Sequence, residues 1–265
     1  MGSDLYLGLI KRTLSGNLNP DGDGHIWPSR TLPRRLLRAL LPRDVRVYRL
    51  ASAEERKDGK WWPSGALSMI GEKRMDNIQF CVERVLRDKV PGDLIETGVW
   101  RGGAVIFMRA ILRVHGVTDR VVWVADSFEG LPRPDGLKYP ADSGDRHYRV
   151  SELAVSVQQV QENFHSYGLL DDQVKFLKGW FRDTLPNAGF SNLAVARLDG
   201  DMYESTMDAL RSLYPKLSPG GFIIIDDFHV VPACRKAVDD FRSEFRIDET
   251  ICEIDGTGVF WRRAS

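Results

Sequence analysis

A chain of 265 residues that is 43% hydrophobic can build one α/β domain with trimmings, or at most two small domains. Lys plus Arg and Asp plus Glu balance at 37 each, so net charge offers no support for a nucleic-acid partner. Cys81, Cys234 and Cys252 lack metal-ligand spacing and no apolar run approaches membrane-spanning length, so a soluble, cytoplasmic protein is expected.

Residues 5–14 are apolar at helical spacing and predict a short amphipathic helix. Gly, Asn, Asp and Pro over 16–28 read as loop, and the chain stays loop-rich to about residue 60. The Arg34-Arg35-Leu36-Leu37-Arg38 piece reads as a solvated helix face or linker rather than a binding patch. Residues 1–60 are therefore expected to be an extension that covers the rest or forms a homo-oligomer contact, with residues 61–265 as the main domain. No internal repeat is visible.

A helix is predicted over 72–87, with Ile78, Val82, Val85 and Leu86 on one face. Pro91-Gly92 breaks it, and 93–97 is a short strand. Gly98-Val99-Trp100-Arg101-Gly102-Gly103 follows, then a helix over 104–114. A strand, a Gly-rich turn and a helix in that order make a nucleotide-handling unit, because glycine lets the backbone turn tightly against a ligand. The spacing departs from Gly-x-Gly-x-x-Gly, and no Gly-Lys-Ser/Thr follows, which excludes a P-loop. Alone, the turn fits a ligand loop and a plain tight turn equally.

The next strand, 121–125, ends in Asp126-Ser127-Phe128, where an acid can accept ribose hydroxyls. Residues 129–149 are polar, rich in Gly and Pro, and too long for a simple connection, as lids are. A helix is expected over 151–167. The strand at 174–178 ends in Gly179-Trp180-Phe181, a flat apolar surface suited to a purine, or equally to the core.

Residues 193–198 and 221–225 are short aliphatic runs that read as strands buried on both faces, joined by a helix over 204–214 and a Ser218-Pro219-Gly220-Gly221 stop. Such a unit makes its strands parallel and adjacent, so Asp199, Asp201, Asp226 and Asp227 should gather at one sheet edge, where open α/β sheets bind ligands. Four unpaired carboxylates would repel and need a cation. All-oxygen ligands without His or Cys favour Mg²⁺. Helix capping by Asp explains one acid per strand end and not a pair. A helix over 231–245 with Pro232 in its first turn, then a hairpin of 250–254 and 258–262 about Asp255-Gly256-Thr257, complete the chain.

This alternation is the architecture of the class I, Rossmann-like methyltransferases: one seven-stranded, mostly parallel sheet with helices on both faces and an antiparallel end. The runs Leu94 to Gly103, Trp123 to Gly130, Leu198 to Tyr203 and Ile225-Asp226-Asp227, with Ser68-Met69-Ile70-Gly71 and Pro232 to Val238, resemble the macrocin O-methyltransferase family from about Leu5 to Arg262. The resemblance implies Mg²⁺- and S-adenosylmethionine-dependent methylation of a deoxysugar hydroxyl on an antibiotic or similar glycosylated natural product. It implies that Glu96 and the backbone from Gly98 through Trp100, Arg101, Gly102 and Gly103 hold the methionine part of the donor. Asp126 would take the ribose, with Ser127 against the adenosine. Gly179, Trp180 and Phe181 would line the adenine pocket, and Ser68 and Met69 would reach in from the N-terminal side. Asp199, Asp226 and Asp227 would bind Mg²⁺ beside the donor and Asp201 would be the base, although which of Asp199 and Asp201 is base and which is ligand stays open. The alternatives are a catechol-type O-methyltransferase and a non-catalytic nucleoside-binding protein.

Overall fold

The computed structural model describes residues 2–18, 25–26 and 48–264. The Arg34 to Arg38 piece and most of the expected 16–28 loop lie outside the described residues. Helix α1 (Gly2–Leu14) is followed by a two-residue antiparallel pairing of β1 (His25–Ile26) with β2 (Tyr48–Arg49) and by a short helix α2 (Ala53–Lys57) closed by a Ser52/Glu55 capping box. Next come α3 (Gly71–Arg87), β3 (Asp93–Thr97), α4 (Gly103–Val114), β4 (Val122–Asp126), α5 (Val157–Ser166) and β5 (Val174–Lys178). The second half contains α6 (Phe181–Thr184), β6 (Leu193–Leu198), α7 (Tyr203–Leu213), β7 (Leu217–Ile225), α8 (Pro232–Glu244), β8 (Cys252–Glu253) and β9 (Val259–Arg262).

The main sheet has seven strands in the order β5-β4-β3-β6-β7-β9-β8. β5 through β7 are parallel, and β9 pairs antiparallel with both β7 and β8, the expected finish. Winding runs outward in opposite directions from β3 and β6, so their carboxyl ends form the switch point of the sheet.

Each central strand sends alternate residues to two cores, which is why it reads as an unbroken apolar run. Leu94, Val122, Val124, Val195, Phe222 and Ile224 pack on one side with α1, α3, α4 and α5. Ile95, Ala125, Ala196, Leu198, Ile223 and Ile225 pack on the other with α7, α8 and Trp261. Leu7, Ile10 and Leu14 of α1 are buried in the first core, so this N-terminal helix is built into the domain. Among the described residues no helix is long and apolar enough to cross a membrane.

Two expectations shift. The helix expected from residue 151 begins at Val157: Ser151–Leu153 forms a 3₁₀ turn, and Ser156 caps α5 by accepting the Gln159 N–H at 3.2 Å. The expected stop at Ser218-Pro219-Gly220-Gly221 lies inside β7. The pairing jumps there from Leu193↔Leu217 to Val195↔Phe222, with Gly220 at φ +82°, so the segment is an irregularity within a strand and not a break before it.

Candidate active site

All the strand tips that matter end on one edge. Leu198 of β6 registers with Ile225 of β7, which sets Asp199 beside Asp226. The two are fixed by the same ladder: the Asp199 N–H donates to the Thr97 carbonyl and the Asp226 N–H to the Leu198 carbonyl, each at 2.9 Å. One oxygen each from Asp199, Asp226 and Asp227 lie within 4.8 Å of one another. Gly98 makes this possible. It has φ +84°, and a Cβ there would stand 1.7 Å from the Asp199 carbonyl oxygen. Any side chain at the β3 tip would push the β6 tip away.

Two of the four aspartates, Asp199 and Asp226, are paired with arginines, which corrects the sequence expectation of four unpaired carboxylates. Arg197, 1% exposed, donates to Glu96, to Asp226 and, at 2.9 Å, to Asp199. Arg74 from α3 donates to the other Asp226 oxygen at 2.5 Å and pairs with Asp255 at 3.1 Å. Asp226 is thus clamped between two guanidiniums. Arg197 neighbours Glu96 across the β3–β6 ladder and shares its face of β6 with Asp199, two residues on. An arginine inside an otherwise aliphatic strand was the available signal, since a buried charge must be paired.

Two guanidiniums still face six carboxylates: Glu96, Asp199, Asp201, Asp226, Asp227 and Asp255. Burial works against the charge on Asp226, but Arg197 and Arg74 outweigh it and hold that carboxyl below its ordinary range. Asp199 and Asp227 go the other way. Burial and the neighbouring acids, led by Asp226 for the first and Asp201 for the second, push both well up. Burial raises Asp201 to about 6 against the pull of His147, and raises Glu96 to about 7 against the pull of Arg197. The Asp227 Oδ2 atom is buried with no hydrogen-bond partner among the described residues. An orphaned carboxylate oxygen beside two other oxygen donors fits a hard divalent cation. The residues present therefore suit Mg²⁺.

Asp199, Asp201, Asp226 and Asp227 form one wall of a cavity of about 550 Å³, within the range of small-molecule sites. Asp126 lies on it at the β4 tip, accepting the Val99 N–H at 2.8 Å and the Phe128 N–H at 2.7 Å. Burial raises its carboxyl against these bonds. Gly98, Trp100, Ser127, Met69, Trp180 and Phe181 also border the cavity, so a carboxylate and apolar faces meet as a nucleoside requires. Trp100 holds φ +48° and donates Nε1 to the Glu152 carbonyl at 2.8 Å.

Other residues singled out from the sequence do not border the cavity. Glu96 is 1% exposed and engaged with Arg197. The Arg101 guanidinium donates to the carbonyls of Ser64 and Ala66, bracing the N-terminal segment. Gly102 opens α4 in the left-handed region, and a Cβ on Gly103 would meet Ser68 and the Leu67 carbonyl. Ser68 is buried there, and Gly179 turns the chain at φ +142° to set Trp180. Beyond Arg74 and Arg197, the sequence did not single out Arg182, Glu204 or Asp208 as cavity residues; all three border it. His147, noted only as part of the long loop, does so too.

The sequence profile described as Macrocin-O-methyltransferase (TylF) matches residues 3–263. A Streptomyces olivaceus protein, 8-demethyl-8-(2,3-dimethoxy-alpha-L-rhamnosyl)-tetracenomycin-C 4'-O-methyltransferase, is 55% identical over 240 residues, covering 88% of this chain and 92% of its own. Mycinamicin III 3''-O-methyltransferase of Micromonospora griseorubida is 48% identical over 268 residues, covering 100% of this chain and 98% of its own. The solved structure of the O-methyltransferase NovP is similar at a TM-score of 0.87 and 46% identity, covering 99% of this chain and 100% of that one. That of the calicheamicin methyltransferase CalS11, with a TM-score of 0.60 at 20% identity over 92% of this chain and 96% of its own, shares the fold. The chain belongs to the macrocin O-methyltransferase family.

Proposed function

We propose that the protein transfers a methyl group from S-adenosylmethionine to a sugar hydroxyl of a glycosylated natural product, with Mg²⁺ held by Asp199, Asp226 and Asp227. The observation that carries it is the meeting of those three carboxylates, one with an orphaned oxygen, on the wall of a cavity that also exposes Asp126. The relatives' names, a 4'-O-methyltransferase of a rhamnosyl tetracenomycin and a 3''-O-methyltransferase of mycinamicin III, support a glycosylated acceptor.

When bound, the donor brings an already electrophilic methyl group and the cation brings Lewis acidity toward the acceptor oxygen. The chain's own task is to position and to move a proton. Asp126 accepts ribose hydroxyls, while Trp100, Trp180 and Phe181 supply apolar surface. Asp201, on the cavity wall one residue beyond Gly200, takes the acceptor hydroxyl proton at its carboxylate. A sugar hydroxyl is almost wholly protonated near neutrality, so this removal is the step that needs help. Asp199, bound to Arg197, is the better ligand, and Asp201, without that guanidinium, the better base. Beyond α1, the rest of residues 1–60 is proposed to cover the site or join copies of the chain, in a cytoplasmic, homo-oligomeric enzyme.

The test is a panel of deoxysugar glycosides and catechols incubated with labelled donor, with products identified by mass spectrometry. Methylated glycoside is expected. Methylation of catechols alone would assign a different acceptor class, and donor binding without any turnover would leave a binding protein.

A further inference from the structure

The long loop between β4 and α5 is tied down at one buried point. Asp142, in a single 3₁₀ turn (Pro140–Asp142), is 1% exposed. Its Oδ1 accepts the Tyr203 N–H at 2.6 Å and its Oδ2 accepts the Glu204 N–H at 3.0 Å. Tyr203 and Glu204 are the first two residues of α7, whose own N-cap residue, Met202, offers no side-chain bond. Helix-opening amides have no partner within the helix, and a carboxylate suits that positive end. Here the cap comes from a loop 61 residues away in sequence.

α7 begins two residues after Asp201. Asp201 itself stands at φ +54°, a conformation that a residue other than glycine keeps only where its surroundings hold it. Upstream, the hold is the β6 ladder at Asp199; downstream, it is the start of α7. The same loop carries His147, whose backbone N–H donates to Asp145 Oδ1 at 2.8 Å and whose ring nitrogen Nδ1 lies 2.6 Å from Asp145 Oδ2. His147 borders the cavity together with Leu131, Pro132 and Asp201. Tyr139 packs near Tyr203 with ring centroids 6.0 Å apart, beside the anchor.

We propose that Asp142 is a positioning residue for methyl transfer: by capping α7 it latches the 129–149 loop over the cavity and fixes the backbone that presents Asp201 to the acceptor. This rests on the function proposed above. Breaking the latch frees the loop, withdraws His147 from the acid cluster and lets Asp201 leave its left-handed conformation. The acceptor side of the cavity suffers and the Asp126 side does not.

Amide hydrogen exchange and kinetics on the full chain test it. In the parent protein the Tyr203 and Glu204 amides should exchange at the rate of the Asp145 and His147 amides, as one opening unit. In Asp142→Ala the Tyr203 and Glu204 amides should exchange about ten- to a hundredfold faster, with Asp142→Asn, which keeps one acceptor oxygen, in between. The acceptor kcat/KM should fall in the same order, while the donor dissociation constant stays within about threefold. Independent exchange of loop and helix amides in the parent would overturn the proposal, even if no variant folds. So would a variant whose loop is loosened and whose acceptor kcat/KM is unchanged. The exchange arm needs no turnover, so absence of methylated product would defeat the function and leave the latch to be judged separately.

Discussion

Among the acids on the β6 and β7 tips, position decides role. Asp226 is held between Arg197 and Arg74, and among the described residues Asp227 keeps a buried oxygen unsatisfied while Asp201 faces the cavity without a guanidinium partner. Replacing Asp201 by Asn removes the base and leaves volume and most contacts intact, so kcat should drop about 10²–10⁴-fold. Donor binding by calorimetry should hardly change; equal losses in both would contradict a base role. In the parent, the acid limb of the pH–rate profile should lie at or below about 6, since burial raises Asp201 to about 6 and a bound cation would only lower it. The rate rises with pH through that range because the deprotonated carboxylate is the active form. The paired acids were legible in the sequence because each run of aliphatic residues ended in two of them. Their counter-ions were harder to see. Arg74 arrives from α3 by tertiary packing that no spacing encodes, whereas Arg197 is visible in the sequence as a charge in a buried strand.

The elements deliver these residues through close approach of parallel strands, which depends on one glycine. A Cβ at Gly98 would overlap the Asp199 carbonyl, and the glycine also adopts a backbone conformation unfavourable to L residues. Gly98→Ala should therefore cost at least about 2 kcal/mol, read as a fall of several degrees in Tm, and should weaken activity more than a comparable loss elsewhere. Unchanged Tm and activity would mean that the two tips do not touch. The parallel strands of the main sheet followed from composition, because residues buried on both faces must be apolar throughout, and the strand–helix–strand unit implied the pairing of β6 with β7. Element boundaries were less legible. α5 starts late because the Ser156 side chain captures a backbone amide, and β7 starts early because an irregular strand tolerates Pro219 and Gly220.

At the scale of the molecule, two cores clamp one sheet and leave its carboxyl edge free for polar chemistry. Helix α1 contributes Leu7, Ile10 and Leu14 to the first core, a burial its amphipathic spacing foretold without naming the partner. Balanced charge overall conceals a sharp local excess of carboxylates at the switch point, and that excess is the molecule's central feature. Its most direct test is calorimetric titration of Mg²⁺ into chelator-treated protein at several pH values, beside assays of turnover. Raised carboxyls at Asp199 and Asp227 must release protons to a cation, so binding should strengthen as pH rises, restore activity where Zn²⁺ does not, and vanish in Asp227→Asn with donor binding retained. Turnover indifferent to chelator, or Mg²⁺ binding undiminished in Asp227→Asn, would contradict it.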